Sequence, residues 1–365
     1  MLDSVLKAYG FPPDTSVTPH GSGLINHTWF LKTQKGKFIL QRINQQIFPA
    51  PDLIAQNIEM VGSYLLTHYP DAVFPRPVST RTGDTLVDAG PDGYFRLYPF
   101  IEDSVTVDIA DTPARAFEAA RQFGLFTRML SGFPAGNLHE TLPDFHDLPL
   151  RYTAFRRSLQ NGNPDRIRKA GQLIGFLESH NHIVTEYSQL LADPGFKRRV
   201  THHDTKISNV LFDDQGKGIC VIDLDTMMPG YFISDVGDML RTYLSPVSEE
   251  EKDLTLIQVR EPWFQAIVEG YLGEMKDQLT PTEKNAFVYA GSFMMYMQAL
   301  RFLTDYLYED VYYGSRYKDH NYNRALNQAA LLGQYLEKAP QLKNIVRKVI
   351  AQPPARLSSR NAPLE

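Results

Sequence analysis

The chain has 365 residues, 43% hydrophobic and 22% charged, with a formal net charge of -5 at pH 7. That balance fits a globular protein of one large or two modest domains, and a pI near 6.1 offers no basic surplus that would point to nucleic acid or an acidic membrane as partner. The one cysteine, Cys220, excludes a disulfide framework and fits a reducing cytoplasm.

The first residues, Met1 to Lys7, lack a basic region followed by an apolar one, so no secretory leader is expected. A short helix is predicted over 3–9, ended by Gly10. Residues 17–31 read as strand, Gly-rich turn, strand, with Gly21, Ser22 and Gly23 in the turn and Asn26 just beyond it. A turn at 34–37 leads into a strand over 38–43. Residues 55–68 read as a helix with Ile54, Ile58, Val61 and Leu65 on one face. Two further strands, 85–89 and 94–100, flank a turn at Pro91-Asp92-Gly93.

The rest is mainly helical. Ala119, Phe123, Phe126 and Leu130 recur at helical spacing, and helices are predicted near 164–192, 256–272, 282–307, 321–337 and 341–351. The most apolar run, 286–300, is short of a membrane span and carries Gly291, Ser292 and Gln298, so it reads as a buried helix. Residues 353–365 read as a frayed tail. The expected fold class is α+β: a small antiparallel β lobe over 1–100 and a larger helical lobe over 101–352. Between them, Phe100-Ile101-Glu102-Asp103 reads as an extended linker that can offer backbone N–H and C=O groups, those of Ile101 among them, to a ligand.

The chemistry concentrates in Val200 to Asn209, V-T-H-H-D-T-K-I-S-N. A predicted hairpin over 210–222 follows, and Asp223 stands where its second strand ends. A hairpin that small brings its outer ends together, so Asp204, Asn209 and Asp223 should share one small volume. Phosphoryl transfer needs such a set: a carboxylate for the attacking hydroxyl's proton, and oxygen ligands for magnesium. Asp204 is the candidate base; Asn209 and Asp223 are the candidate metal ligands. Lys206 is a candidate for neutralising phosphate charge, with a solvated loop lysine as the plain alternative. Asp225 shares a face with Asp223 and reads either as a second metal ligand or as a structural acid.

The spacing His202-x-Asp204-x-x-x-x-Asn209 resembles the catalytic loop of protein kinases and of the aminoglycoside phosphotransferase and choline kinase families. The turn at Gly21, Gly23 and Asn26, lying between two strands, resembles the flap that covers ATP phosphates in kinases, not a Rossmann turn. Kinases carry a cation on the third strand, paired with a Glu on the next helix. Here Gln41 takes that place by register, Arg42 faces the other way, and Glu59 is the candidate helix partner. Gln41 cannot neutralise phosphate charge, so either Arg42 serves after a one-residue shift or the charge comes from elsewhere. Ser234-Asp235-Val236-Gly237-Asp238 resembles the segment that follows the metal aspartate in the phosphotransferase families, where Asp235 would brace the catalytic loop.

On the predicted helix at 282–307, Gln298, Arg301 and Asp305 stand in one line. A buried arginine needs a partner. Asp305 at i+4 would make a structural ion pair; alternatively the line borders an acceptor pocket and grips hydroxyls. Tyr306, Tyr308, Tyr312, Tyr313 and Tyr317 would wall that pocket or fill core.

Taken together these strings resemble the phosphotransferase enzyme family, and within it the bacterial N-acetylhexosamine 1-kinases. The likeness is carried by Gly23-Leu24-Ile25-Asn26, Phe38-Ile39-Leu40-Gln41-Arg42-Ile43-Asn44, Asn57-Ile58-Glu59, Thr201-His202-His203-Asp204-Thr205-Lys206, Ile222 to Gly230 and Arg301 to Leu307. The resemblance implies a kinase-like two-lobe fold and transfer from ATP, with Mg2+, to the anomeric hydroxyl of a small-molecule sugar. By it Asp204 would deprotonate that hydroxyl and Arg301 would contact the sugar. The competing readings are a kinase of choline, ethanolamine or an aminoglycoside, and a nucleotide-binding scaffold without activity. No stretch of the sequence specifies the oligomeric state.

Overall fold

The computed structural model describes residues 2–21 and 25–352. Its N-terminal part is a five-stranded antiparallel sheet and the remainder is mostly helical. Helix α1 (Leu2–Ala8) leads into β1 (Ser16–Pro19), β2 (His27–Thr33) and β3 (Gly36–Arg42), which form a meander. Helix α2 (Pro51–His68) then intervenes before β4 (Val87–Asp88) and β5 (Tyr94–Pro99), and the sheet order is β1-β2-β3-β5-β4.

Strand alternation gives the sheet two different faces. Leu31, Leu40, Phe95 and Leu97 point one way and are sealed by Val5 and Leu6 of α1 with Tyr9 and Phe11. Thr28, Phe30, Ile39, Gln41, Arg96 and Tyr98 belong to the other face, with Gln41 directly opposite Arg96. Helix α2 starts at Pro51, earlier than the predicted 55, because proline is at home in a first turn, where its missing N–H costs nothing. Its apolar stripe of Ile54, Ile58, Val61 and Leu65 joins the large core of the helical lobe, not the small core of the sheet. Buried Asn57 fixes that docking: its Nδ2 donates to the carbonyls of His139 (2.9 Å) and Met227 (3.1 Å), and its Oδ1 accepts from the His139 N–H (2.8 Å).

The helical lobe begins with α3 (Pro113–Met129), capped by Thr112, and α4 (Leu148–Asn161), capped by Asp147. The predicted helix over 164–192 is three: α5 (Pro164–Lys169), α6 (Gly171–Ser179) and α7 (His182–Ala192). Next come β6 (Arg199–Thr201), the hairpin β7 (Val210–Phe212) with β8 (Gly218–Val221), and β9 (Met228–Gly230), which pairs with β6. That β6–β9 pair closes the segment between them at its base and was not expected from local pattern.

Helix α8 (Phe232–Tyr243) was likewise not expected, although Phe232, Ile233, Val236, Met239, Leu240 and Tyr243 recur at helical spacing; its polar side, with Asp235, Asp238 and Arg241, is buried as well, so eleven of its twelve residues are buried. After α9 (Glu261–Met275), the predicted helix over 282–307 divides into α10 (Pro281–Asn285), closed by a Thr280–Glu283 capping box, and α11 (Phe287–Leu307). The two helices predicted over 321–337 and 341–351 are one, α12 (His320–Ala351), which runs through Pro340. A proline there removes one helical hydrogen bond. Leu332 and Tyr335 before it and Leu342 and Val346 after it all bury into the same core, which holds the helix continuous. Among the described residues no helix is long and apolar enough to cross a membrane.

Candidate active site

The loop from Val200 to Asn209 is held by buried carboxylates on α8. Asp235 accepts from the backbone N–H of His202 (3.0 Å) and of His203 (2.7 Å), and Asp238 accepts from the N–H of Thr205 (2.8 Å). Thr205 Oγ1 donates back to the Asp235 carbonyl at 2.7 Å, and Thr226 Oγ1 to the His202 carbonyl at 2.6 Å. His203 adopts φ of 66°, a left-handed conformation that the two Asp235 bonds stabilise. Gly237 and Gly230 permit this packing. A Cβ at Gly237 would collide with the Ala290 carbonyl of α11, and one at Gly230 with the His203 ring and Thr201. Burial pushes the Asp235 acid up to about 6, and it holds the His203 imidazole down at about 4.

The held loop presents Asp204, whose Oδ1 lies 3.2 Å from Lys206 Nζ and whose Oδ2 accepts from Asn209 Nδ2 at 3.2 Å. Burial raises the acid, but Lys206, His202 and Arg241 outweigh it and hold Asp204 below the usual carboxylate range. It is thus an anion, able to accept a proton. The hairpin returns beside it: the Ile222 N–H donates to the Asn209 carbonyl at 2.9 Å. Asp223 follows in a left-handed conformation (φ 60°, ψ 63°), and its side chain opens to solvent. Enclosure by the protein, then the Asp225 and Asp204 charges, push its acid up to about 7. An acid crowded by like charges and open to the cleft is one that a cation would restore to the ionised state. Asn209 spends its Nδ2 on Asp204, which leaves Oδ1 as a free oxygen donor. One carboxylate and one amide oxygen therefore suit a hard divalent ion.

On the sheet side, Gln41 Oε1 accepts from Arg96 Nε (3.1 Å) and Nη2 (2.9 Å). Arg96 is 3% exposed and pairs with Asp225, itself 1% exposed. Asn26 Nδ2 donates to Asp225 Oδ2 at 2.7 Å. The cation facing the site from the β lobe is thus Arg96, which sequence reasoning missed. Only the β3–β5 pairing puts it opposite Gln41, and strand neighbours that far apart in sequence leave no local signal. Arg42 lies beside Gly93 and Gln45, away from the site. The pairing expected of Glu59 is not made. Glu59 binds Arg76 at 2.9 Å on the half-exposed flank of α2, because the helix turns its apolar stripe, not this side, inward. Gly21 begins the turn between β1 and β2 with φ of 73°, whereas Gly23 lies outside the described residues. At the linker, the Ile101 carbonyl accepts from Ser104 Oγ at 2.6 Å, so of its two backbone groups the N–H is the one left open. Val105 then pairs with Phe212, which ties the linker to the β7–β8 hairpin.

Arg301 does not pair with Asp305. Asp305 accepts instead from the backbone N–H of Tyr312 (2.7 Å) and of Tyr313 (3.0 Å) and from Asn321 Nδ2 (3.1 Å). Arg301 donates to Gln298 Oε1 at 3.3 Å and lies between the Phe145 and Tyr313 rings, at 5.2 and 5.6 Å. Arg151 donates to the carbonyls of Asp144 (2.8 Å) and Phe145 (3.2 Å), and its Nε is buried without a partner. Neither arginine has a carboxylate partner among the described residues. His146 stacks on Phe145 and lies 5.3 Å from the His203 ring, so this cluster adjoins the Asp204 loop. The tyrosines divide. Tyr306 is core, Tyr313 flanks Arg301, Tyr317 stacks near His320, and Tyr308 and Tyr312 are exposed.

A model of the phosphotransferase enzyme family matches residues 16–275. The chain belongs to that family. It is a small-molecule phosphotransferase with the fold of its solved relatives. The microcompartment-associated aminopropanol kinase is 15% identical over 94% of this chain and 98% of its own, with a TM-score of 0.60. Amicoumacin kinase in complex with AMP-PNP, Ca2+ and Ami is 15% identical over 95% of this chain and 92% of its own, with a TM-score of 0.60. Choline kinase from Cryptosporidium parvum Iowa II is 13% identical over 95% and 99%, with a TM-score of 0.57. At such identities the likeness is one of fold, and the acceptor has to be argued from the pocket.

Proposed function

We propose that this phosphotransferase moves the γ-phosphoryl group of ATP to the anomeric hydroxyl of an N-acetylhexosamine. The observation that carries the acceptor class is the pair Arg301 and Arg151, two guanidiniums without carboxylate partners beside Phe145, Tyr313 and the loop of Asp204. A cationic acceptor such as choline or an aminoglycoside would meet like charge there. A neutral sugar with hydroxyl and acetamido oxygens meets fixed donors.

Asp204, held as an anion by Lys206, accepts the proton of the attacking hydroxyl. Lys206 then lies within reach of the charge on the transferred group. Asn209 Oδ1 and Asp223 would hold Mg2+, which when bound supplies neutralisation of the phosphate oxygens. The nucleotide would lie under the turn at Gly21, against the face carrying Phe30, Ile39, Gln41 and Tyr98, with adenine at the Ile101 N–H. In this reading residues 1–100 serve the nucleotide and 101–352 the chemistry and the acceptor. The lone, unpaired Cys220 supports a cytoplasmic setting.

The test is turnover with ATP and MgCl2 on N-acetylhexosamines, simple sugars, choline, ethanolamine and aminoglycosides. Turnover is expected on N-acetylhexosamines, with Asp204→Asn lowering kcat at least ~10²-fold and leaving nucleotide affinity unchanged. Turnover confined to the cationic alcohols would overturn the acceptor assignment.

A further inference from the structure

Asp225 follows the proposed metal ligand by two residues, yet its carboxylate is bound by the opposite lobe. Oδ1 pairs with Arg96 and Oδ2 accepts from Asn26 Nδ2 at 2.7 Å. Both partners are themselves fixed. Arg96 has two donors on Gln41 Oε1, and Asn26 Oδ1 accepts from the Asn44 N–H at 3.0 Å. On its own side, the Asp225 carbonyl accepts from Thr141 Oγ1 at 2.9 Å. The short turn at Leu224–Thr226 is thus clamped between lobes.

We propose that Arg96, Gln41, Asn26 and Asp225 form an interlobe latch that positions Asp223 to bind the metal, with Asp225 an anchor and not a ligand; this rests on the proposed metal role of Asp223. Three features require it. Asp223 holds a left-handed backbone, which aspartate reaches at lower cost than most side chains and which the surroundings here select. The anchor that selects it is a buried charge, and a buried charge is tolerable only while its partner is in place. The segment is therefore set when the β lobe is seated and released when it is not. Asn26 also stands immediately before β2, so the start of that strand and the metal segment are joined by one hydrogen bond.

The latch explains Gln41 as well. A lysine at that strand position would set a second cation against Arg96, directly opposite it in the sheet. A neutral amide offers one oxygen to two guanidinium donors and orients Arg96 toward Asp225. The missing strand cation and the buried Arg96 are one arrangement.

The experiment measures ADP affinity by calorimetry with and without MgCl2, and thermal stability, for the wild type, Asp223→Asn, Arg96→Gln, Asp225→Asn and Asn26→Ala. Asn26 is neutral and half-buried, so Asn26→Ala keeps the test open if a charge variant does not fold. Wild type should bind ADP about tenfold or more tighter with magnesium, and Asp223→Asn should lose that gain. Arg96→Gln and Asp225→Asn should each lose most of it and Asn26→Ala a measurable part of it, with metal-free affinity within about threefold of wild type. An undiminished magnesium gain in the folded latch variants overturns the proposal, leaving a merely structural ion pair. An equal loss with and without magnesium in Arg96→Gln also overturns it, and makes Arg96 a direct phosphate contact. Loss in Asp225→Asn but not in Arg96→Gln or Asn26→Ala overturns it in favour of Asp225 as a ligand. Absence of any gain in the wild type, or a full gain in Asp223→Asn, overturns the metal reading itself, and the latch with it.

Discussion

The two lobes hold their candidate functional side chains by different means. In the helical lobe the Asp204 loop is fixed from beneath, by Asp235 and Asp238 of α8 bonding to its backbone. In the β lobe, Gln41, Asn26 and Arg96 find their order by reaching across to Asp225. Even α2, which the chain places within the first hundred residues, buries its apolar stripe in the helical core. The helical lobe is therefore a prebuilt platform, and the β lobe is organised by contact with it. Damage to the platform should cost stability first, whereas loss of a side chain open to the cleft between the lobes should cost function and leave the fold; the buried Arg96–Asp225 pair joins the two and should cost both.

The sharpest break in this contrast comes at Asp223. Asp223→Ala should abolish turnover, a loss of at least ~10³-fold, because the proposed metal ligand is removed. Melting temperature should hold or rise, since the change relieves repulsion from Asp225 and Asp204. A large drop in melting temperature would move Asp223 into the platform.

Asp235→Ala should do the reverse. It strands two buried N–H groups, so unfolding in denaturant should show a loss of about 2–5 kcal/mol. The folded fraction should have a disordered Asp204 loop and poor turnover at any metal concentration. Unchanged stability would contradict the picture of a platform held by α8.

Arg301 tests the acceptor side. Arg301→Ala should lower kcat/KM for the acceptor by one to three powers of ten, roughly ~1.5–3 kcal/mol, with nucleotide affinity intact. Arg301→Lys should be impaired too, because it keeps the charge and loses the planar fork. Because Asp305 is satisfied by Tyr312, Tyr313 and Asn321, stability should barely change. Lost stability with normal acceptor kinetics would remove Arg301 from the pocket.

The smallest effect is the acid sensitivity of the platform. Burial holds His203 at about 4 when folded, below the ~6.5 of an exposed histidine. A depressed folded pKa gives stability that is present above the unfolded value and lost as pH falls toward the folded one. Between about pH 7 and pH 5 this should remove at most about 2 kcal/mol. His203→Gln should flatten that part of the pH profile. The difference between the two proteins isolates it from Asp235, whose raised acid, at about 6, acts with opposite sign over an overlapping window. Parallel profiles for the two would refute the assignment.

What local pattern could deliver was the order of elements and the main site strings. Period-two alternation marked the strands, the stripe of Ile54, Ile58, Val61 and Leu65 marked α2, and the Asp204–Asn209 spacing followed by a hairpin marked the loop. Helix breaks were less legible: 321–337 and 341–351 read as two helices, and burial on both sides of Pro340 holds them as one. Helix α8 was legible in its apolar spacing of Phe232, Ile233, Val236, Met239, Leu240 and Tyr243, but it was read only as the segment bracing the catalytic loop; what the sequence did not show is that its polar side is buried too.

The sequence by itself determined that a carboxylate, an amide and a second carboxylate meet at the ends of one small hairpin, because a short loop enforces that approach. Only the tertiary structure decided which charges surround them. Arg96 reaches Asp225 through a strand pairing that joins distant parts of the chain, Glu59 is spent on Arg76, and Arg301 is left free because Asp305 serves a loop. Partners of long side chains depend on which elements pack together, and packing is settled by the burial of apolar faces far from the charges themselves.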